Sequence, residues 1–199
     1  MKSSTKAAWL AAALLVAGCA TTQLKDSWKD PAFTGPPMKR LLVVGVASSS
    51  SNRRVFEDAF AKALSAAGTS ATASYSSLPE SGPIPNERIT VAANQADVDG
   101  LVITRVLRVK REVSVSPGYA SPGFYGAGFR GYYHGAYLAT VPDVDVYEVL
   151  TIETTLWNLR ADKPLWSGTS EVTEPRNVAA ATEELAKVLI AKMKADGVI

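Results

Sequence analysis

Arg40-Leu41-Leu42-Val43-Val44-Gly45-Val46-Ala47 is an apolar run rich in β-branched residues, entered through a single arginine. A strand with one wet face would alternate apolar and polar residues, so this run predicts a central strand covered on both faces. Ser48 to Asn52 follow as a polar turn made of helix-capping residue types. Behind the turn Val55, Phe56, Ala59, Phe60, Ala63, Leu64 and Ala67 recur at helical spacing, with Arg53, Arg54, Glu57, Asp58 and Lys62 off that stripe. Gly68 is placed to end the helix in a left-handed conformation. Thr69 to Tyr75 then reads as a second strand, which completes a β-α-β unit.

Towards the C-terminus the pattern continues. Ser76 to Pro85 is a loop, and Asn86 to Ala96 is a weaker helix with Ile89, Ala93 and Ala96 as its inner face. Leu101 to about Ser116 is a long strand whose second half sets Leu107, Val109, Val113 and Val115 against Arg108, Lys110, Glu112 and Ser114. Asp143 to Asn158 is a second long strand, and the two should pair antiparallel as a large hairpin. Leu165 to Thr173 extends the meander. Pro175 suits the first turn of a last helix striped by Val178, Ala181, Leu185, Val188 and Leu189. The order β-α-β-α-β, loop, β-β-α predicts an α/β sandwich: a mixed β-sheet with helices packed on one side.

The predicted tip of the hairpin, residues 117–142, is the compositional outlier. It holds six of the 14 glycines and five of the seven tyrosines, and a loop of this length is either functional or a low-complexity, disordered insertion. Tyr119, Phe124, Tyr125, Phe129, Tyr132, Tyr133 and Tyr137 on a glycine-rich backbone are the large amphipathic rings that recognition loops favour. They form the candidate binding loop.

Upstream, Lys2 and Lys6 precede an apolar run from Ala7 to Ala17. Eleven residues rise about 16 Å as a helix, short of the ~30 Å hydrocarbon core, so the segment reads as a signal peptide rather than a span. It ends in Val16-Ala17-Gly18-Cys19, which resembles the lipobox of bacterial lipoproteins. That resemblance implies cleavage between Gly18 and Cys19 and lipidation of Cys19, the single cysteine. It also makes Ala20 informative: an aspartate there commonly retains proteobacterial lipoproteins at the inner membrane, so alanine implies the outer membrane. Residues 1–18 are then the signal peptide. Residues 19–38 read as a flexible tether, since Pro31, Pro36, Pro37, Gly35 and four charges argue against a regular element. Residues 39–199 form one periplasmic domain.

Without Lys2 and Lys6 the basic residues number 19, equal to the 19 acidic ones. A neutral chain is not expected to bind nucleic acid. With Cys19 acylated, no thiol is left for disulfides, redox chemistry or soft metals.

No catalytic set is legible. Ser48 to Ser51 sit between strand and helix, with Arg53 and Arg54 behind them, but the turn has no glycine to wrap a phosphate and no Gly-x-Ser-x-Gly elbow. They read as a cap. His134 is the only histidine and has no acid or cysteine at ligand spacing. Asp143 and Asp145 would share a face, and strand-edge solvation accounts for them. Strict alternation puts Arg108 and Lys110 on one face of their strand and Arg105 and Arg111 on the other, as solvated surface. Trp157 and Trp166 are placed for cross-strand packing. The expectation is a non-enzyme with no metal and no cofactor.

Ser27-Trp28-Lys29-Asp30-Pro31, Arg53-Arg54-Val55-Phe56-Glu57-Asp58 and Leu165-Trp166-Ser167-Gly168 resemble a family of uncharacterised bacterial lipoproteins over nearly the whole mature chain. The element order is also similar to the N-terminal domain of TolB and to periplasmic lipoproteins that activate peptidoglycan synthases, a likeness of architecture alone. The anchor, the reach of the tether and the absence of a catalytic set point to a non-catalytic membrane-anchored envelope protein that binds another envelope protein through residues 117–142. The alternative is a module that takes peptidoglycan glycan or lipid through the same tyrosines.

Overall fold

A computed structural model describes residues 22–78, 84–116, 143–175 and 177–199. Six strands form one mixed sheet: β1 (Thr22–Lys29), β2 (Arg40–Val46), β3 (Ser70–Ala73), β4 (Gly100–Ser116), β5 (Asp143–Asn158) and β6 (Lys163–Thr173). Three helices accompany them, α1 (Ser50–Ala66), α2 (Asn86–Gln95) and α3 (Val178–Ala195), and a 3-10 turn spans Ser74–Ser76. The order across the sheet is β1-β6-β5-β4-β2-β3. β2 runs parallel to β3 and β4, and the remaining pairs are antiparallel. The α/β fold expected from the pattern is the one observed.

β2 is covered on both faces, as its apolar run requires. Leu41 and Val43 join the main core with Phe60 and Leu64 of α1 and Leu185, Leu189 and Met193 of α3. Leu42 and Val44 join a second core with Ala93 of α2 and Leu101, flanked by Ile89, Ile103 and Trp157. The helices therefore lie on both faces of the sheet, not on one. The sequence pattern hides this because α2 is short and buries little: only Ala92 and Ala93 of it are fully covered.

Residues 22–29 correct the reading of residues 19–38 as a tether. They form β1, paired antiparallel with β6 from Thr22↔Val172 to Lys29↔Trp166. Pro31, Gly35, Pro36 and Pro37 all come after the strand and so do not interrupt it. Its charges suit an edge, where a register shift between Leu24 and Asp26 and an exposed Lys25–Glu171 pair discourage further pairing. Beyond β1, Phe33 packs against the main core while Trp28 stays exposed.

The two tryptophans expected to pack across strands lie in different cores. A register shift after Leu156 sets Trp157 opposite Pro164 and Trp166 opposite Leu156. Trp166 is fully buried, and its Nε1 donates to Asp196 Oδ2 at 2.8 Å. Its ring covers Gly168, where a Cβ would stand 2.4 Å from Trp166 Cη2. The Trp-Ser-Gly order thus has a packing cause. α3 begins later than Pro175 suggests, with Asn177 as its cap accepting from the Ala180 N–H at 2.9 Å.

Candidate functional site

β4 and β5 outrun their neighbours. β2 ends at Val46, opposite Arg105, and β6 ends at Thr173, opposite Val149. Past these rows Arg111–Ser116 pair with Asp143–Glu148 as a two-stranded ribbon, at whose base the Glu174 N–H donates to the Glu148 carbonyl at 2.8 Å. An isolated two-stranded ribbon is marginal in water without packing on one face. Here one face carries Val109, Val113, Val144 and Val146, each 54–61 % exposed. Among them the Arg111–Glu148 ion pair closes at 3.1 Å.

Below the ribbon, on the same face of the sheet, lies an apolar groove of about 600 Å³. Val106 and Val109 of β4 and Leu150 and Ile152 of β5 form its floor. Phe56 of α1 lines one side, and Val178, Ala181 and Leu185 of α3 line the other. Ser48, Ser49 and Asn177 stand at the rim, where both helices begin. The groove lies between the first turns of the two helices, over strands that continue beneath them.

The ribbon's other face is polar. Glu112 accepts from Lys110 at 2.8 Å and from the Tyr147 hydroxyl at 3.0 Å, and these bonds hold its carboxyl below the usual range. The same two bonds push the Lys110 and Tyr147 groups up. Asp145, Glu171 and Glu174 border this shallow surface.

A register shift at Leu107 changes which basic residues share a face. Val106 pairs with Ile152 and Val109 with Leu150, so both valines face the groove although they stand three positions apart. Arg105, bound to Glu153 at 2.7 Å, is therefore on the polar face with Arg108 and Lys110, and Arg111 alone is on the valine face. Strict alternation groups Arg105 with Arg111; the bulged residue breaks the period.

Ser49 caps α1, its Oγ accepting from the Asn52 N–H at 3.3 Å. The two arginines behind it are engaged elsewhere. Arg54 lies 5.6 Å from the centre of the Tyr75 ring. Arg53 and Glu57, read from the sequence as off the apolar stripe, are 5 % and 0 % exposed and joined at 2.8 Å. Glu57 Oε1 also accepts from the Gly45 N–H (2.9 Å) and the Ser74 hydroxyl (2.9 Å), and Oε2 accepts from the Tyr75 N–H (2.8 Å). Arg53 donates in turn to Ser74 Oγ at 2.8 Å. A signal was present: 53, 57, 60 and 64 continue at helical spacing into Phe60 and Leu64, and Gly45 lies on the strand that α1 covers. A Cβ at Gly45 would stand 2.9 Å from the Phe56 ring. The cluster ties α1 to β2 and to the 3-10 turn. Every polar atom named in it is engaged in that clamp, and Arg53 also lines the groove.

Several sequence-predicted residues lie outside the described residues: Gly18 and Cys19, the loop residues Tyr119, Phe124, Tyr125, Phe129, Tyr132, Tyr133 and Tyr137, and His134. Among the described residues, no group of three His, Cys, Asp or Glu side chains is placed to hold a metal ion, and no helix is long and apolar enough to cross a membrane.

No protein-family model matches the chain, and no curated protein matches it. Solved structures do. Two crystal forms of a PelC dodecamer from Paraburkholderia phytofirmans are each 15 % identical at a TM-score of 0.45. One covers 82 % of this chain and 93 % of its own, and the other 84 % and 94 %. Lipoprotein GNA1162 from Neisseria meningitidis is 14 % identical at a TM-score of 0.41, covering 79 % of this chain and 99 % of its own. A likeness this distant carries no conclusion about function.

Proposed function

We propose that the chain is a non-catalytic envelope lipoprotein, anchored in the outer membrane through Cys19, whose domain binds another envelope protein through the tip of the β4–β5 hairpin. The observation that carries this reading is the ribbon itself. It takes β4 and β5 past the last row of the sheet, and the tyrosine-rich segment 117–142 joins these two strands in sequence. A recognition loop on a long ribbon fits a surface that must reach a partner. The Val16-Ala17-Gly18-Cys19 sequence supports the anchor, and two or three acyl chains hold a protein firmly where one holds it marginally.

Photo-crosslinking from Tyr125 or Tyr133 in cells tests the partner. Deleting residues 119–137 while the fold is kept should abolish the crosslinked band, and an unchanged band would overturn the reading. A second reading, a module for glycan or lipid, is favoured by the apolar groove at the ribbon's base. Titrating the chain with muropeptides and phospholipids while following tyrosine and tryptophan fluorescence separates the two: saturable binding would favour the second.

A further inference from the structure

The direction of β1 decides where an anchor on Cys19 must lie. β4 runs outward into the ribbon and β5 returns; β6 runs outward again, and β1, antiparallel to it, starts at the outer end. Thr22, Val172, Leu150 and Val109 are partners across four strands, one row of the sheet. Cys19 is three residues before Thr22. Three residues span at most about 10 Å. β4 continues for seven residues past that row, from Lys110 to Ser116, which at a strand's rise is about 23 Å. A sheet held at this end by so short a link brings its ribbon end, not the turn at Arg160, towards the surface to which the link is fixed.

We infer that the valine face of the ribbon is a second membrane contact, seated at the headgroup boundary of the bilayer that carries the Cys19 lipid. The inference rests on lipidation of Cys19. The chemistry of the face fits that depth. Val109, Val113, Val144 and Val146 offer apolar surface that nothing among the described residues covers. The Arg111–Glu148 pair in their midst excludes the hydrocarbon core, where a charge is costly, but long charged side chains at the boundary reach water. Residues 111–116 and 143–148 carry one basic and four acidic side chains. The contact is therefore apolar in origin and needs no anionic lipid.

The test uses the full lipidated chain in phosphatidylcholine vesicles. Mass spectrometry of its N-terminus first reads the lipid on Cys19; an unmodified Cys19 would sink the anchor, whatever the fluorescence shows. Because the native chain has no other thiol, a fluorophore can be placed at Val113→Cys or Val146→Cys on the valine face, at Asp145→Cys on the polar face, and at Arg160→Cys at the far end of the sheet. Nitroxide-bearing lipids should quench the probes at 113 and 146 several-fold more than the probe at 160, with 145 between them. The quenching should be the same in 0.05 and 0.5 M salt. Equal, weak quenching at all four sites with Cys19 lipidated would overturn the inference. Probes at 113 and 146 shielded from aqueous iodide yet untouched by lipid quenchers would also overturn it, and would show that a second protein surface covers the valines.

Discussion

Replacing Glu57 by glutamine tests whether the buried cluster under α1 holds the helix to the sheet. The carboxylate makes four hydrogen bonds, three to Oε1 and one to Oε2, and its partner Arg53 is also out of water. A glutamine of the same shape can keep the Oε1 partners on its amide oxygen. Its NH2 group then meets the Tyr75 N–H, donor against donor, and Arg53 loses the charge that balances it. Breaking a buried pair from one side costs about 3–5 kcal/mol, a large part of the ~5–15 kcal/mol by which ordinary domains are stable. Equilibrium urea unfolding of the full chain carrying Cys19→Ala, followed by tryptophan fluorescence, gives the difference. The double variant Arg53→Met, Glu57→Leu removes both charges but still leaves the Gly45 and Tyr75 N–H groups without acceptors, at about 1–3 kcal/mol each. It should therefore lose less than the two substitutions lose singly when their effects are added, and still be weaker than the parent. A loss below ~1 kcal/mol for Glu57→Gln would refute the account of the cluster as a clamp.

Two further perturbations act on single contacts. Gly168→Ala places a methyl group 2.4 Å from the ring of a fully buried tryptophan; overpacking of this kind costs about 1–3 kcal/mol or more, and thermal unfolding with no fall in Tm would show that the ring moves freely. Asp196 tests pH dependence. Partial burial pushes its carboxyl up, but hydrogen bonds from Lys192 and Trp166, aided by the charges of Lys192 and Lys29, outweigh this and hold it below the usual carboxylate range. A lowered folded pKa stabilises above the unfolded value of roughly 3.9 and is lost as pH falls through the folded one. Asp196→Asn should therefore lower the urea midpoint at pH 7 and converge with the parent once the pH falls below the lowered folded value; a gap that persists unchanged in acid would assign the effect to geometry alone.

The elements with a strong period were legible: β2 from its apolar run, α1 from its stripe, and β4 and β5 from long alternation. What was not legible depended on partners distant in sequence. β1 has little apolar signal of its own, with Leu24 and Trp28 spaced four apart among polar residues, and it becomes a strand because β6 offers an edge. Arg53 and Glu57 looked solvated because charge is normally exposed; their burial requires acceptors and donors supplied by Gly45, Ser74 and Tyr75, which no local pattern announces. Arg105 changed faces because one bulged residue, Leu107, shifts the period within an otherwise regular strand. The groove was invisible for a different reason. Its floor residues look like ordinary core positions, and only the placement of the two helix N-termini on either side leaves them lining an open groove.

The conversion of a tether into a strand alters what an anchor at Cys19 would mean. A flexible segment of 19 residues could reach about 65 Å and would leave the domain free to turn. With Thr22 fixed in the edge of the sheet, Ala20 and Thr21 alone separate Cys19 from the paired backbone. The link is then too short to be a spacer, so lipidation would fix orientation as well as address. Antiparallel pairing of β1 directs that link to the ribbon end, whereas a parallel edge strand would have sent it to the turn at Arg160 and pointed the ribbon away. The same pairing puts the groove and the N-termini of α1 and α3 on the anchored side. If Cys19 carries the lipid, a protein partner of the ribbon end would be one embedded in that bilayer or lying on it.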